Sequence, residues 1–302
     1  MKKTISYLYV ILGAACWGFI GLFNRMLGEA GVSVWNRVFI RNFISLVLLT
    51  VVFGLFHRQV FRIRLKHLPI FLAAGLISVL CLAITYFNCQ MHCSLAVAGI
   101  LLYLAPSFVV LMSALLWKAP LTKRKLLALA LSFAGCALVS GIVGGDTSVS
   151  AVGLLLGVGA GFCYATYTIF AHYGLAHYDS YTMIYWTFLV AGIGSLFFLN
   201  PTELAAAMPD SRLWLGTAGL VVIATVLPYI FYTKGLEGVE SGKASIIANV
   251  EPVVAALTGV VFFHETLSIW TLLGVCCVLG GVILLAKGDD TCKESNSSTA
   301  ST

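Results

Sequence analysis

Apolar residues run along this chain in long unbroken stretches instead of alternating with polar ones. Ten stretches stand out: Ser6–Leu27, Val34–Phe56, Leu68–Phe87, Ser94–Trp117, Leu126–Val143, Val152–Tyr173, Tyr181–Leu199, Leu213–Thr233, Ala244–Phe263 and Ile269–Ala286. A hydrocarbon core about 30 Å thick needs about 20 apolar residues in a helix. Backbone polar groups find no water in lipid, so only helices and closed barrels cross it. Continuous rather than alternating runs exclude the barrel. The connections leave no room for a soluble domain, and 287–302, rich in Ser, Thr and Asn, reads as a disordered tail. The pattern predicts an all-α integral membrane protein with ten transmembrane helices.

Composition agrees. The 302 residues are 60% hydrophobic and 10% charged, against roughly 25% charged in a soluble domain. So few charges cannot cover a water-facing surface, which excludes a cytosolic enzyme, a nucleic-acid binder and a disordered chain. The lipid bilayer is therefore one partner, and nucleic acid is not. Lys2 and Lys3 ahead of the first run suggest a signal peptide, but the run is too long for a typical signal h-region. Gly13-Ala14-Ala15-Cys16 approximates a lipoprotein cleavage site, yet Gly13 stands where a branched apolar residue is wanted. An uncleaved first span is expected.

Basic residues give the orientation. With the N-terminus inside, thirteen Lys and Arg fall on the inner face: Lys2, Lys3, Arg58, Arg62, Arg64, Lys66, Lys118, Lys123, Arg124, Lys125, Lys234, Lys287 and Lys293. Only Arg212 falls outside, and Arg25, Arg37, Arg41 and Lys243 lie within or at the ends of spans. Both termini are expected in the cytoplasm and the protein in the plasma membrane. The net charge of +6 reflects topology. Of nine cysteines, Cys89 and Cys93 flank His92 in an outer loop. A disulfide, a metal site or two small residues in a turn all remain open there; the absence of a fourth ligand nearby favours the last.

The chain also contains itself twice. A shift of 146 positions lays Pro106 on Pro252 and Ala98–Leu138 on Ala244–Leu284, matching Ala98 with Ala244, Ile100 with Ile246, Leu111 with Leu257, Leu121 with Leu267 and Gly135 with Gly281. The same shift lays Gly13 on Gly159 and Ala14 on Ala160. Each unit has five spans, an odd number, so the second must enter from the opposite side. The basic loop Lys118–Lys125 has a counterpart, His264–Leu267, with neither Lys nor Arg, as inversion requires. Inverted repeats mark secondary transporters, whose site lies near the midplane between the halves.

Trp17-Gly18 in the first span, Glu251-Pro252-Val253-Val254-Ala255-Ala256 in the ninth, then His264-Glu265-Thr266-Leu267-Ser268, and Gly274 through Gly280-Gly281-Val282-Ile283-Leu284 in the tenth together resemble the EamA family of the drug/metabolite transporter superfamily. The resemblance covers one repeat over 5–143 and a second over 152–286. It implies ten helices with both termini inside, and movement of small metabolites or amino acids, often outward. The acidic residue expected after the fourth span is Ala119 here, whereas Glu265 keeps it after the ninth.

Gly153, Gly157 and Gly161 form a double GxxxG stripe for close helix packing, and Ala14 with Gly18 makes a similar face. Pro106 and Pro252 each remove a helical hydrogen bond and mark paired bends, whether hinges or static kinks. Intramembrane charges are costly and usually functional. Glu251 is the carboxylate well inside a span; it binds a substrate ammonium, carries a proton, or is a structural acid. Arg41, with Arg37 one turn away, either draws an anion into an outer vestibule or anchors the interface. Tyr164, Tyr167 and Thr168 share a face by i, i+3, i+4 spacing, as do Tyr229 and Tyr232. Trp17, Tyr86, Tyr103 and Asn249 complete the expected cavity lining.

Two motifs fail. His264-Glu265 begins a zinc-protease HExxH that ends in Ser268, and Gly238–Lys243 is one residue short of a phosphate loop. No catalytic cluster or nucleotide-binding domain is present, so neither an enzyme, a cofactor nor a metal is expected. Transport would run on a proton, an exchanged solute or the substrate's own gradient, and a homodimer is left open. The leading expectation is a secondary transporter of small organic solutes, with a proton-coupled multidrug exporter as the alternative. The four-helix multidrug relatives rely on an acid in the first helix, and Ser6–Leu27 has none.

Overall fold

The computed structural model describes residues 2–93, 95–139, 150–264 and 268–298, of which 2–3, 95–96, 139 and 286–298 are described by backbone alone. Among the described residues ten long helices frame the fold: α1 (Thr4–Glu29), α2 (Val34–Phe56), α3 (Leu65–His92), α4 (Val97–Trp117), α5 (Lys123–Val139), α6 (Ala151–Leu175), α7 (Ser180–Phe198), α8 (Ser211–Leu236), α9 (Ser241–Phe263) and α10 (Ile269–Ser298), with a short helix, Pro201–Ala207, between α7 and α8. Among the described residues, eight of these are long and apolar enough to cross a membrane; α5 and the apolar part of α10, Ile269–Leu285, are shorter. The expected end of the first repeat at 140–143, Glu265 and residues 299–302 lie outside the described residues. Helical backbone continues through Ser298 where composition predicts a disordered tail after 286, since extending an existing helix costs far less than starting one.

Local chemistry sets the helix ends. Side-chain oxygens of Ser33, Ser150, Asp179 and Asp210 accept from the first-turn amides of α2, α6, α7 and α8, satisfying donors that the helix leaves orphaned. α4 and α9 both end on a non-glycine residue in the left-handed region, Lys118 at φ 53° and His264 at φ 55°. These two residues stand 146 positions apart. So do the caps Ser33 and Asp179, and so do the turns at Tyr103 and Asn249 that interrupt α4 and α9 just ahead of Pro106 and Pro252. A π-helical segment in α3, Leu76–Cys81, likewise overlaps, under the same shift, one in α8, Gly219–Val226.

Packing repeats the correspondence. α1 packs on α8 and α9, while α6 packs on α3 and α4. α2 meets α8, and α7 meets α3; α5 pairs with α10, α4 with α9 and α2 with α7. Exchanging α1–α5 with α6–α10 leaves this set of neighbours unchanged. Two features break the correspondence. α1 is interrupted at Gly18–Phe19 whereas α6 is continuous, and α2 holds a π-helical segment, Ile40–Ile44, that α7 lacks.

Small residues bring the helices together. A Cβ at Gly161 would stand 2.6 Å from the Leu101 carbonyl oxygen, and one at Gly157 2.4 Å from a Leu101 methyl. Gly153 closes on the His92 backbone, so the GxxxG stripe seats α6 against α3 and α4. At Gly18 a Cβ would lie 2.6 Å from that of Val254, which lets α1 touch α9 at its own interruption. The main core is shared by both units and includes Val10, Trp17, Phe71, Phe188, Tyr229 and Ile246. Leu55, Leu115, Leu155, Phe197 and Val261 point outward and are exposed, the apolar perimeter that a bilayer would cover.

Candidate functional site

Two chambers lie along the seam between the units. The larger, about 160 Å³, is walled by Trp17, Ile20 and Asn24 of α1, Arg37, Val38, Arg41 and Asn42 of α2, and Val79, Leu82, Ala83, Tyr86 and Phe87 of α3. Leu102, Tyr103, Tyr164, Tyr229 and Glu251 close it. The smaller, about 20 Å³, lies among Val109 and Pro106 of α4, Tyr167 and Thr168 of α6, Tyr232 of α8, and Ser245 and Asn249 of α9. Trp17, Tyr103, Tyr164, Tyr229 and Glu251 line both. These five form the septum that the two chambers share.

Ring packing holds the septum. The indole of Trp17 meets Tyr229 and Tyr164 edge-on, at 5.5 and 6.1 Å between centroids, and Tyr232 at a tilt at 5.2 Å; Tyr167 meets Tyr229 edge-on at 4.9 Å. Such edge-to-face pairs are favourable beyond the area they bury. Hydrogen bonds fix the hydroxyls. Tyr164 donates to Glu251 Oε2 at 3.0 Å, Tyr167 pairs with Thr233 at 2.7 Å, and Thr168 pairs with Tyr232 at 2.8 Å. Several polar atoms on the chamber walls are buried without a partner: Arg41 Nε, Arg37 Nε, Asn42 Oδ1 and Asn249 Nδ2. Buried polar groups are nearly always bonded, so these four atoms keep unused hydrogen-bonding capacity on residues that line the chambers.

Backbone irregularity aims these groups. Trp17 is the last residue before the α1 interruption, Arg41 and Asn42 lie within the π-helical segment of α2, and Asn249 forms the turn in α9. Extra or missing backbone hydrogen bonds rotate the following face, and π-helical turns recur at functional sites.

The chamber outlines gather the expected residues. Trp17, Tyr103, Tyr164, Tyr229 and Glu251 lie in the septum, Arg41 and Tyr86 in the larger chamber, and Tyr167 and Asn249 in the smaller. Pro106 lies on the smaller chamber, while Pro252 is buried in the first turn after the α9 break. Asn24, Asn42 and Ser245 are lining residues that sequence reasoning missed. Amides and hydroxyls inside apolar runs were the available signal, but their direction depends on the α1 interruption and the α2 π segment. Arg25 lies elsewhere, over the ring of Phe263 at 4.1 Å and 3.4 Å from Glu29. Cys89 and Cys93 approach to 3.2 Å between sulfurs, and Cys89 bonds to the Gly153 carbonyl. Among the described residues no three His, Cys, Asp or Glu side chains converge as metal ligands.

A family model for EamA-like transporters matches twice, over residues 4–141 and 151–287. The chain belongs to the EamA-like transporter family. This EamA-like chain is a multi-pass membrane protein and a transporter. It is 29% identical to an uncharacterized transporter of Archaeoglobus fulgidus over 91% of its own length and 94% of that protein's. It is 25% identical to the uncharacterized inner membrane transporter YicL of Salmonella typhimurium, over 92% and 94% respectively. The threonine/homoserine exporter RhtA of the same species matches at 27% over 45% of this chain and 46% of its own. A solved crystal structure shares the fold with TM-score 0.74 at 16% identity, covering 94% of this chain and 96% of the other.

Proposed function

We propose that the protein is a secondary active transporter of small organic metabolites, amino acids or related carboxylate and amine solutes, working by alternating access across the plasma membrane. The observation that carries this reading is the pair of chambers that share a septum drawn from both units. A wall between two chambers is what a carrier needs between its two open states. In this reading α5 and α10 also span, giving ten helices, and the two units, 5–143 and 152–286, enter the membrane from opposite sides. The matched caps, left-handed ends, proline breaks and π segments support that inversion, as does a packing scheme unchanged on exchange. The thirteen-to-one bias of basic residues supports cytoplasmic termini, with the larger chamber toward the outside. RhtA is named as an exporter, which favours outward movement.

Purified protein in liposomes should take up labelled solute with saturation and inhibition by unlabelled solute. Flux that rises linearly without limit would replace the carrier with a channel. A proton-coupled exporter is the second reading, favoured by one observation: Glu251 touches both chambers. If Glu251 carries the proton, E251Q transport loses its dependence on pH; an unchanged pH profile removes that role.

A further inference from the structure

The charges in the larger chamber go further than a general affinity for carboxylates or amines. Arg41 and Glu251 line the same chamber and lie within electrostatic reach of each other. Nevertheless, Arg41 enters no ion pair among the described residues, and its buried Nε has no hydrogen-bond partner. Glu251 takes one hydrogen bond, at Oε2 from the neutral hydroxyl of Tyr164. Two opposite charges this far inside a bundle pair with each other wherever they can reach, because an unpaired buried charge is strongly destabilising. Here both line one chamber without an ion pair between them.

The neighbouring cation, Arg37, is engaged differently. Its Nη1 donates to the Asn24 carbonyl at 3.0 Å, and it faces Glu203 beyond the start of α2. Arg41 is thus the guanidinium left for a ligand, and a guanidinium fork matches a carboxylate in shape and charge. Glu251 itself shares both chamber linings with the rings of Trp17, Tyr103, Tyr164 and Tyr229, and aromatic faces favour an ammonium over an anion. A cavity of about 150 Å³ accepts a ligand the size of benzene, so the chamber's roughly 160 Å³ suits one small molecule touching both ends.

We infer that the substrate is a small zwitterion held with its carboxylate on Arg41 and its ammonium on Glu251, and that these two residues jointly set specificity. This rests on the transporter reading and narrows it, since a solute with only one charge leaves the opposite end unpaired. The test is ligand-induced thermal stabilisation of purified full-length protein. The probes are the twenty protein L-amino acids and, for alanine, valine and leucine, the matched amine lacking the carboxylate and the matched carboxylate lacking the ammonium. At least one amino acid should raise the unfolding midpoint, and its single-charge analogues should bind at least about tenfold more weakly, the scale of one charge-assisted hydrogen bond. R41Q should erase the preference for the amino acid over the amine, and E251Q the preference over the carboxylate. E251D, which keeps the charge, should retain part of that preference even if E251Q proves unstable. A structural role would lower the midpoint of each variant without this crossed pattern. An amine or carboxylate that binds as tightly as its amino acid overturns the zwitterion, as does the absence of any amino-acid binding. Saturable flux of another solute in liposomes would then leave the transporter reading standing, whereas absence of saturable flux would remove both.

Discussion

Lys125 is the protein's most deeply placed cation tied to a described acid, and its removal should change which chamber opens. It sits in the first turn of α5 with its side chain 4% exposed, and its Nζ donates to Glu240 Oε1 at 2.5 Å and to the Pro120 carbonyl at 2.9 Å. Glu240 lies in the turn between α8 and α9, so the pair joins the two five-helix units on the face next to the smaller chamber. The same shift of 146 puts Thr271 and Ser94 at the corresponding places, and neither can form an ion pair. Breaking a fully buried pair costs about 3–5 kcal/mol. Glu240 is 34% exposed, and water screens its side of the interaction, so about 1.5–3 kcal/mol, the range of a hydrogen bond to a charged group, is the better scale. At 1.4 kcal/mol per factor of ten, that is a shift of about 10- to 100-fold toward the state open on the Lys125 face. The assay places one probe cysteine at Ser245 in the smaller chamber and, separately, one at Asn24 in the larger, and follows labelling by a membrane-impermeant maleimide with mass-spectrometric localisation. E240Q should speed labelling of S245C from the Lys125 face and slow labelling of N24C from the other. The exchanged pair K125E/E240K should restore both rates. Unchanged rates in E240Q, or faster labelling at both probes, would mean the pair stays closed in every state and merely holds α5 in place.

Three further outcomes follow from the geometry. Replacing Gly161 by Ala puts a methyl 2.6 Å from a backbone oxygen and should destabilise by about 1–3 kcal/mol through overpacking; Gly159→Ala, with nothing within 4 Å, should leave the detergent unfolding midpoint within error. Tyr164→Phe removes the hydroxyl that Glu251 accepts, and should weaken saturable uptake in liposomes severalfold while leaving the fold intact by circular dichroism. Burial pushes the Glu203 carboxyl upward, but hydrogen bonds from Asn36 and Ser33 and the nearby Arg37 charge outweigh it, so the group titrates below its ordinary value. A depressed carboxylate stabilises the fold at pH above its unfolded value and loses that contribution as pH falls through its folded one. The wild-type midpoint should therefore drop on acidification below about pH 4.5 more steeply than that of E203Q, and parallel curves would refute the assignment.

The sequence made the helices and the doubling legible because both rest on local or linear information: runs of apolar residues, and a shift aligning Pro106 with Pro252. It also gathered Trp17, Tyr103, Tyr164, Tyr229 and Glu251, because polar or aromatic groups deep in apolar runs have few places to go other than an interior. What it left obscure depends on backbone departures from the ideal helix. Heptad reasoning cannot orient Asn24 beyond the interruption at Gly18–Phe19, nor Asn42 within a π-helical turn. Lys125 was legible only as one more positive charge on the inner face. Its partner is 115 positions away, and only the packed fold brings α5 against the turn before α9.

The symmetric and asymmetric parts of this molecule divide along functional lines. Caps, left-handed ends, proline breaks and helix neighbours repeat under a single shift, and these features govern how the two units pack. The chemistry does not repeat. Glu251 corresponds to Ala105, Arg41 to Thr187, Asn249 to Tyr103 and Trp17 to Cys163, and the two backbone irregularities without a counterpart are those beside Trp17 and Arg41. In the carrier proposed above a duplicated scaffold would give two mirrored motions of similar cost, but a symmetric site would present like charges to like charges. With Arg41 on one unit and Glu251 on the other that repulsion is absent, and the zwitterion inferred above would have a single orientation in the chamber. In the carrier proposed above, asymmetry at the site would set what is bound, and asymmetry at Lys125 and Glu240 would set which side is closed when nothing is.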